Sequence, residues 1–189
     1  MRGTKSTTVC ALAAAGLLLQ PPLQAEDLML EEIIVTAQKR EQALTDVPAA
    51  VSAISGALVS EFLGGAQDIR ALAARVPGLN IETSNGRTQP RFYLRGLGNI
   101  DFDVNANQPV AMIYDELALE NNTLRSLPLF DIERIEVLKG PQGSLFGRNT
   151  NAGVIKVDSV RPGADRNGYF SAAYGSRETF ITEAASNFS

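Results

Sequence analysis

Arginines, carboxylates and carboxamides are the side chains through which this chain could do chemistry, because the usual catalytic groups are missing. None of the 189 residues is histidine, which removes the commonest general base and metal ligand and leaves the serines without a conventional triad. The polar groups gather in three places. In Arg91-Phe92-Tyr93-Leu94-Arg95-Gly96-Leu97-Gly98, strand alternation sets Phe92 and Leu94 on one face and Arg91, Tyr93 and Arg95 on the other. Next, Asn99-Ile100-Asp101-Phe102-Asp103-Val104-Asn105-Ala106-Asn107-Gln108 suits either hydrogen bonding to a polar ligand or plain solvation. Its candidate contacts are Asn99, Asp101, Asp103, Asn105 and Asn107, with Phe102 as an exposed aromatic. Asp101 and Asp103 also suit calcium, but the central glycine and terminal glutamate of a calcium loop are missing, so no metal site is assigned. The third place is Leu138-Lys139-Gly140-Pro141-Gln142-Gly143-Ser144-Leu145-Phe146-Gly147-Arg148-Asn149, where three glycines and a proline preset a tight turn. It lacks the Gly-Lys-Ser/Thr ending of a phosphate loop, and no helix pattern follows. Asp131 and Glu133 beside Arg134 read as solvated edge charges, and Asp115, Glu116, Glu120, Asn121 and Asn122 as solvated turn residues. No catalytic set emerges, and neither enzyme activity nor a cofactor is expected.

The elements that position these groups follow from pattern. Arg2 and Lys5, the apolar run Val9 to Leu19 and the sequence Leu23-Gln24-Ala25 read as an export signal over residues 1–25, too short for a permanent membrane span. Cys10, the one cysteine, would leave with it, which excludes disulfides and thiolate metal sites afterwards. Removing Arg2 and Lys5 takes the basic count from 17 to 15 against 21 acidic residues. That acidic balance disfavours a nucleic-acid partner. Residues 26–47 read as an extended, mobile arm containing the β-prone run Glu31-Glu32-Ile33-Ile34-Val35-Thr36-Ala37. Pro48 opens a compact region, 48–160. A strand over Ala50 to Ser55 precedes a helix with Leu58, Val59, Phe62 and Leu63 at helical spacing; Asp68 caps a second helix facing inward through Ile69, Leu72, Ala73 and Val76. Strands are expected over Leu79 to Thr83, Arg91 to Arg95, Val110 to Tyr114, Ile132 to Leu138 and Gly153 to Val160. Strands and short helices without strict alternation give an α+β domain, a small mixed sheet with short helices. A linker over 161–167 leads to two weakly alternating runs joined at Gly175-Ser176-Arg177-Glu178.

Three of these strings resemble one family. The stretch from Leu138 to Asn149 is similar to the segment near the end of the plug domain of TonB-dependent outer-membrane receptors. Arg95 and its neighbours resemble the plug's arginine-glycine strand, and residues 31–37 resemble the TonB box. The resemblance implies a plug over 48–160 followed, in 161–189, by the first hairpin of a transmembrane antiparallel β-barrel that this chain leaves unfinished. It implies TonB as a periplasmic partner, pairing by strand addition with Glu31, Glu32, Ile33, Ile34, Val35, Thr36 and Ala37. It further implies that Arg95 and Arg148 lock plug to barrel through barrel carboxylates, and that the loop from Asn99 to Asn107 faces an extracellular ligand. The expected function is active import across the outer membrane of a Gram-negative bacterium, with a ferric siderophore as cargo and cobalamin or an oligosaccharide as alternatives. A truncated plug serving only as a periplasmic binding module is the remaining reading.

Overall fold

The computed structural model describes residues 33–63, 68–84, 86–101, 103, 105–126 and 128–188. The expected export signal, Glu31, Glu32 and Phe102 lie outside these residues. In chain order the strands are β1 (Ile34–Val35), β2 (Gln42–Ala43), β3 (Ala50–Ser55), β4 (Leu79–Glu82), β5 (Arg91–Leu94) and β6 (Val110–Tyr114). There follow β7 (Leu117–Ala118), β8 (Ile132–Lys139), β9 (Gly153–Ser159), β10 (Asn167–Gly175) and β11 (Thr179–Asn187). Among the described residues two α-helical segments are present, α1 (Gly56–Leu63) and the single turn α2 (Gly143–Phe146).

A five-stranded sheet in the order β3-β8-β9-β6-β7 carries the fold. It is mixed: β6 runs parallel to β9, and the other pairs are antiparallel. Its two faces sort by the two-residue period of a strand. Ile54, Ile135, Val137, Val110, Met112, Ile155 and Val157 turn to one side. There they meet Val59 of α1, Ile69 and Leu72, and Phe92 and Leu94 of the β4–β5 pair. Ala111, Ile113, Leu138 and Val154 turn to the other side. A register shift between Ile132 and Arg134 inverts the alternation of β8: Ile132 sits in the first core, and beyond the irregularity the even-numbered residues face the second.

The second face is covered by the segment expected to be a mobile arm. Val35, Ala37 and Val47 are buried against Ala111, Ile113, Leu138 and Val154, and β1 pairs with β2. Residues 33–47 are therefore a packed layer. The reason is energetic, since leaving this face bare would expose a strip of Ile, Leu and Val to water.

Other elements match pattern more closely. β3 and β6 have the expected ends, and the strand expected from Gly153 stops one residue short of Val160. The helix after Asp68 is a 3-10 segment, Ile69–Ala74, rather than an α-helix. Eight residues lie between Asp68 and Pro77, a short span that ends where proline cannot continue a helical ladder. The sequence signal for its start holds: the Asp68 carboxylate accepts from Arg70 N at 3.0 Å and from Arg70 Nε at 2.7 Å. One-turn α2 inside the glycine-rich stretch has no periodic signal at all. The strand expected to run through Arg95 ends at Leu94, because Arg95 (φ 52) and Gly96 (φ 80) form a left-handed two-residue turn closed between Leu94 and Leu97.

Two expected outcomes follow from this geometry. Gly153 opens β9 at φ 152, and a Cβ there would lie 2.3 Å from the Leu138 carbonyl oxygen and 2.4 Å from Leu94 Cδ2. Gly153→Ala is expected to destabilise the plug by about 2–3 kcal/mol, read as faster amide exchange across Val154 to Val157. The hydrogen bond from Arg70 holds the Asp68 carboxyl down at about 2, against 3.8 for a free aspartate. A depressed carboxylate contributes stability above its unfolded pKa and loses it as pH falls through the folded value. Asp68→Ala is therefore expected to cost about 1 kcal/mol at pH 7, with the gap closing between pH 4 and pH 2 in urea titrations followed by plug fluorescence.

Candidate functional site

In the run 31–37 that resembles the TonB box, Ile33 and Ile34 are exposed and Val35 and Ala37 are fully buried. Its strand has a defined edge. Leu44 N donates to Ile33 O at 2.9 Å, which makes Ile34 and Ala43 the facing pair that exchanges no hydrogen bonds. The N–H groups of Ile34 and Thr36 accordingly point away from β2. Thr36 N donates to Glu136 Oε1 at 2.6 Å, so a side chain occupies the place where another strand's carbonyl would sit.

Around Thr36 lies a group of charges that the sequence reading did not single out. Glu136 stands opposite Lys156, and Arg134 opposite Asp158, as cross-strand partners of β8 and β9. Glu136, Lys156 and Asp158 are at most 4% exposed. Lys156 Nζ donates to both Asp158 oxygens at 2.6 and 2.7 Å and to Thr36 Oγ1 at 2.7 Å. The Thr36 hydroxyl has one proton and two acceptors in reach, Glu136 Oε1 at 3.2 Å and Asp158 Oδ2 at 3.4 Å. Arg134 Nε closes the cluster, 3.2 Å from Asp158 Oδ2 and 3.4 Å from Glu136 Oε1. Two carboxylates and two cations balance, as a buried cluster requires. Burial nonetheless pushes the Glu136 carboxyl up, against the pull of the Thr36 N–H and of Lys156 and Arg134. Arg134, expected at a solvated edge, sits on a strand flanked by β3 and β9, so its head group turns to buried partners while Glu133 stays exposed.

A second fastening joins this segment to the glycine-rich stretch. Lys39 Nζ lies 5.5 Å from the centroid of the Phe146 ring, and Phe146 packs against the core under Val35. The motif singled out for its irregularity is thus in contact with Lys39, two residues past the run that ends at Ala37.

The two arginines of the expected lock are both on the surface. Arg95 sits at the tip of its turn, exposed; burial, and after it the Arg95 charge, lowers the pKa of Lys139 at the head of the glycine-rich stretch. Arg148 already has a carboxylate partner within the plug: its Nε donates to Glu120 Oε1 at 2.7 Å, and the second nitrogen meets Oε2. Glu120, read as a solvated turn residue, is its counter-charge.

The polar loop is built by its own side chains. Asn99 Oδ1 accepts from Asp101 N, Asp101 Oδ1 from Asp103 N, and Asp103 Oδ1 from Asn105 N, at 2.8, 3.0 and 2.8 Å. Asn99 Nδ2 donates across the loop to Asn107 O at 2.8 Å. Its base is tied to β5: Tyr93 Oη donates to Asn99 O at 2.9 Å, and buried Arg91 reaches Ile100 O at 3.2 Å. Arg91 and Tyr93 are the residues missed as loop fasteners, although their shared strand face was legible. Among the described residues, no three ligating side chains come together as a metal site.

The family model of the TonB-dependent receptor plug domain matches residues 43–154. The pesticin receptor of Yersinia pestis is 31% identical over 183 residues, covering 93% of this chain and 26% of that protein. The vitamin B12 transporter BtuB of Vibrio vulnificus is 32% identical over 157 residues, covering 79% of this chain and 24% of that protein. The crystal structure of the ferric yersiniabactin uptake receptor FyuA from Yersinia pestis aligns with a TM-score of 0.64 at 26% identity, over 71% of this chain and 20% of that one. This chain therefore spans about a quarter of the length of the curated relatives it matches. These relatives are receptors and transporters, not enzymes. The mixed sheet, its short helices and the matched span agree: the chain belongs to the TonB-dependent outer-membrane receptors and contains their plug domain.

Proposed function

We propose that the whole protein imports a ferric siderophore across the outer membrane, and that this chain supplies its export signal (1–25), coupling segment (31–37), plug (48–160) and first barrel hairpin. The observation that carries the cargo is the likeness to FyuA, a ferric yersiniabactin uptake receptor, at 26% identity and a TM-score of 0.64. Identity of 32% to a vitamin B12 transporter favours cobalamin as the second reading. Uptake of labelled iron chelate and labelled cobalamin, in cells whose only such receptor is the full-length protein, separates them. Siderophore-dependent iron entry is the expected result; cobalamin entry alone selects the second reading.

In this reading the self-braced loop carrying Asn99, Asp101, Phe102, Asp103, Asn105 and Asn107 meets the ligand from outside. Strands β10 and β11 support the barrel assignment. Each has nine residues, the length a tilted membrane strand needs, and Phe170, Tyr174 and Phe180 are exposed. Arg95 and Arg148 face barrel carboxylates as the lock, and the plug looks into the periplasm, where TonB pairs with residues 31–37.

Two mutational outcomes test the assignments. The Ile34 N–H points to the edge away from β2, so proline there removes a donor that a partner strand needs while sparing the β1–β2 bonds. Ile34→Pro is expected to abolish uptake with ligand affinity unchanged, and Ile34→Ala to retain most uptake. Normal import by the proline variant moves the coupling segment elsewhere. Arg95→Ala with Arg148→Ala is expected to admit an antibiotic too large for an intact receptor. Glu120→Ala is the control, because an equal leak from that variant alone assigns Arg148 to holding Glu120 rather than to the barrel.

A further inference from the structure

The polar loop over residues 99–108 is clamped at both ends, and its last side chain is buried without a partner. At the entry, Asn99 O and Ile100 O accept from Tyr93 Oη and Arg91 Nη1 at 2.9 and 3.2 Å. Gly98 lies so close to the Tyr93 ring that a Cβ there would be 2.1 Å from Cδ1. Arg91, 4% exposed, is itself held by Glu82 Oε2 at 2.9 Å and Ser84 Oγ at 2.5 Å. At the exit, Ala152 N donates to Pro109 O at 2.8 Å, and buried Arg125 donates through Nη1 to Val110 O at 3.1 Å. Gln108 stands just before this second clamp. It is 2% exposed, and neither its Oε1 nor its Nε2 has a hydrogen-bond partner among the described residues.

A carboxamide in that condition raises the free energy of the conformer that buries it, because it has given up water at both polar atoms and gained nothing in exchange. The main chain offers no local relief. Proline at 109 biases the backbone of Gln108 to extended torsions, and the Pro109 carbonyl is anchored on the end of the glycine-rich stretch. What can move is the arch before it. Asp101, Asp103, Asn105 and Asn107 are exposed, and the arch is held by its own side-chain contacts and by Asn99. We propose that Gln108 senses the ligand: its unmade hydrogen bonds disfavour the ligand-free form of the loop, and ligand contact shifts the arch so that a ligand group completes the carboxamide. That group must both accept and donate, as a carboxamide does, which selects a ligand bearing a hydroxyl or amide at this contact. The inference rests on the reading that residues 99–107 meet the ligand.

The test uses the full-length receptor in detergent. Gln108→Met keeps the length of the side chain and removes both polar atoms. Without ligand, the amides of Asp101, Asp103, Asn105 and Ala106, all hydrogen-bonded within the loop, are expected to exchange about tenfold more slowly than in the parent, since an apolar side chain of similar shape is buried with no such penalty. Gln108→Leu should act in the same direction. Exchange across Val154 to Val157 should stay as in the parent, which separates a local effect from misfolding. Radiolabelled ferric yersiniabactin and radiolabelled cobalamin are then bound at equilibrium. The probe that the parent holds should bind Gln108→Met about tenfold more weakly, because the bound form no longer gains what the free form lacked. A residue that only packs the loop would lose protection and affinity together; more protection with less affinity marks the sensing role. Loop exchange unchanged or faster in both variants overturns the stored penalty, and a faster rate assigns Gln108 to a buried water instead. Slower exchange with parental affinity overturns the ligand contact. Asn105→Ala, on the exposed arch, separates that failure from failure of the loop reading: weaker binding by this variant keeps the loop facing the ligand, and parental binding withdraws that reading as well.

Discussion

A sheet with two apolar faces needs two covers, and this requirement organises the chain. The strands β8, β9 and β6 present Ile, Val and Met on one side and Ala, Ile, Leu and Val on the other. One cover, made of α1, the 3-10 segment after Asp68 and the β4–β5 pair, is large and continuous with the main core. The other is fifteen residues of N-terminal chain with two-residue strands. The asymmetry matters: the first cover lies among many contacts from distant parts of the sequence, while the second is a single strip that could lift without unthreading anything else.

Much of the sheet and of its first cover was legible. Alternation located β3 and β6 to the residue, and a capping aspartate followed by an apolar stripe located the start of the 3-10 segment. What pattern could not supply was handedness at single residues. Nothing in Arg91 to Arg95 announces that Arg95 takes φ 52, yet that one torsion moves it from a strand face to a turn tip.

The second cover was misread for a different reason. Glu31 to Ala37 holds apolar residues, but the polar run Gln38 to Gln42 after it has no stripe, and composition there favours a solvated arm. The burying surface is supplied by β6, β8 and β9, more than sixty positions away in sequence, and no local signal reports it. The charged cluster was hidden likewise. Arg134 and Glu136 look like ordinary strand charges until the register places Glu136 opposite Lys156 and Arg134 opposite Asp158. A retrospective signal does exist: Val154, Lys156 and Asp158 alternate with Ile155 and Val157, so one face of a central strand carries charges and demands partners.

The choice of fastener has a consequence for reversibility. Apolar surfaces once separated have only water to face, and that penalty grows with area; polar groups once separated are resolvated at little net cost. The strip over the second face enters the core through a valine and an alanine near Thr36, among the smaller apolar side chains, and is otherwise tied there by hydrogen bonds that solvent can take over. Such a joint is firm while dry, and it opens with a cost set by a few methyl groups. It can close again without the chain having to rebuild a core.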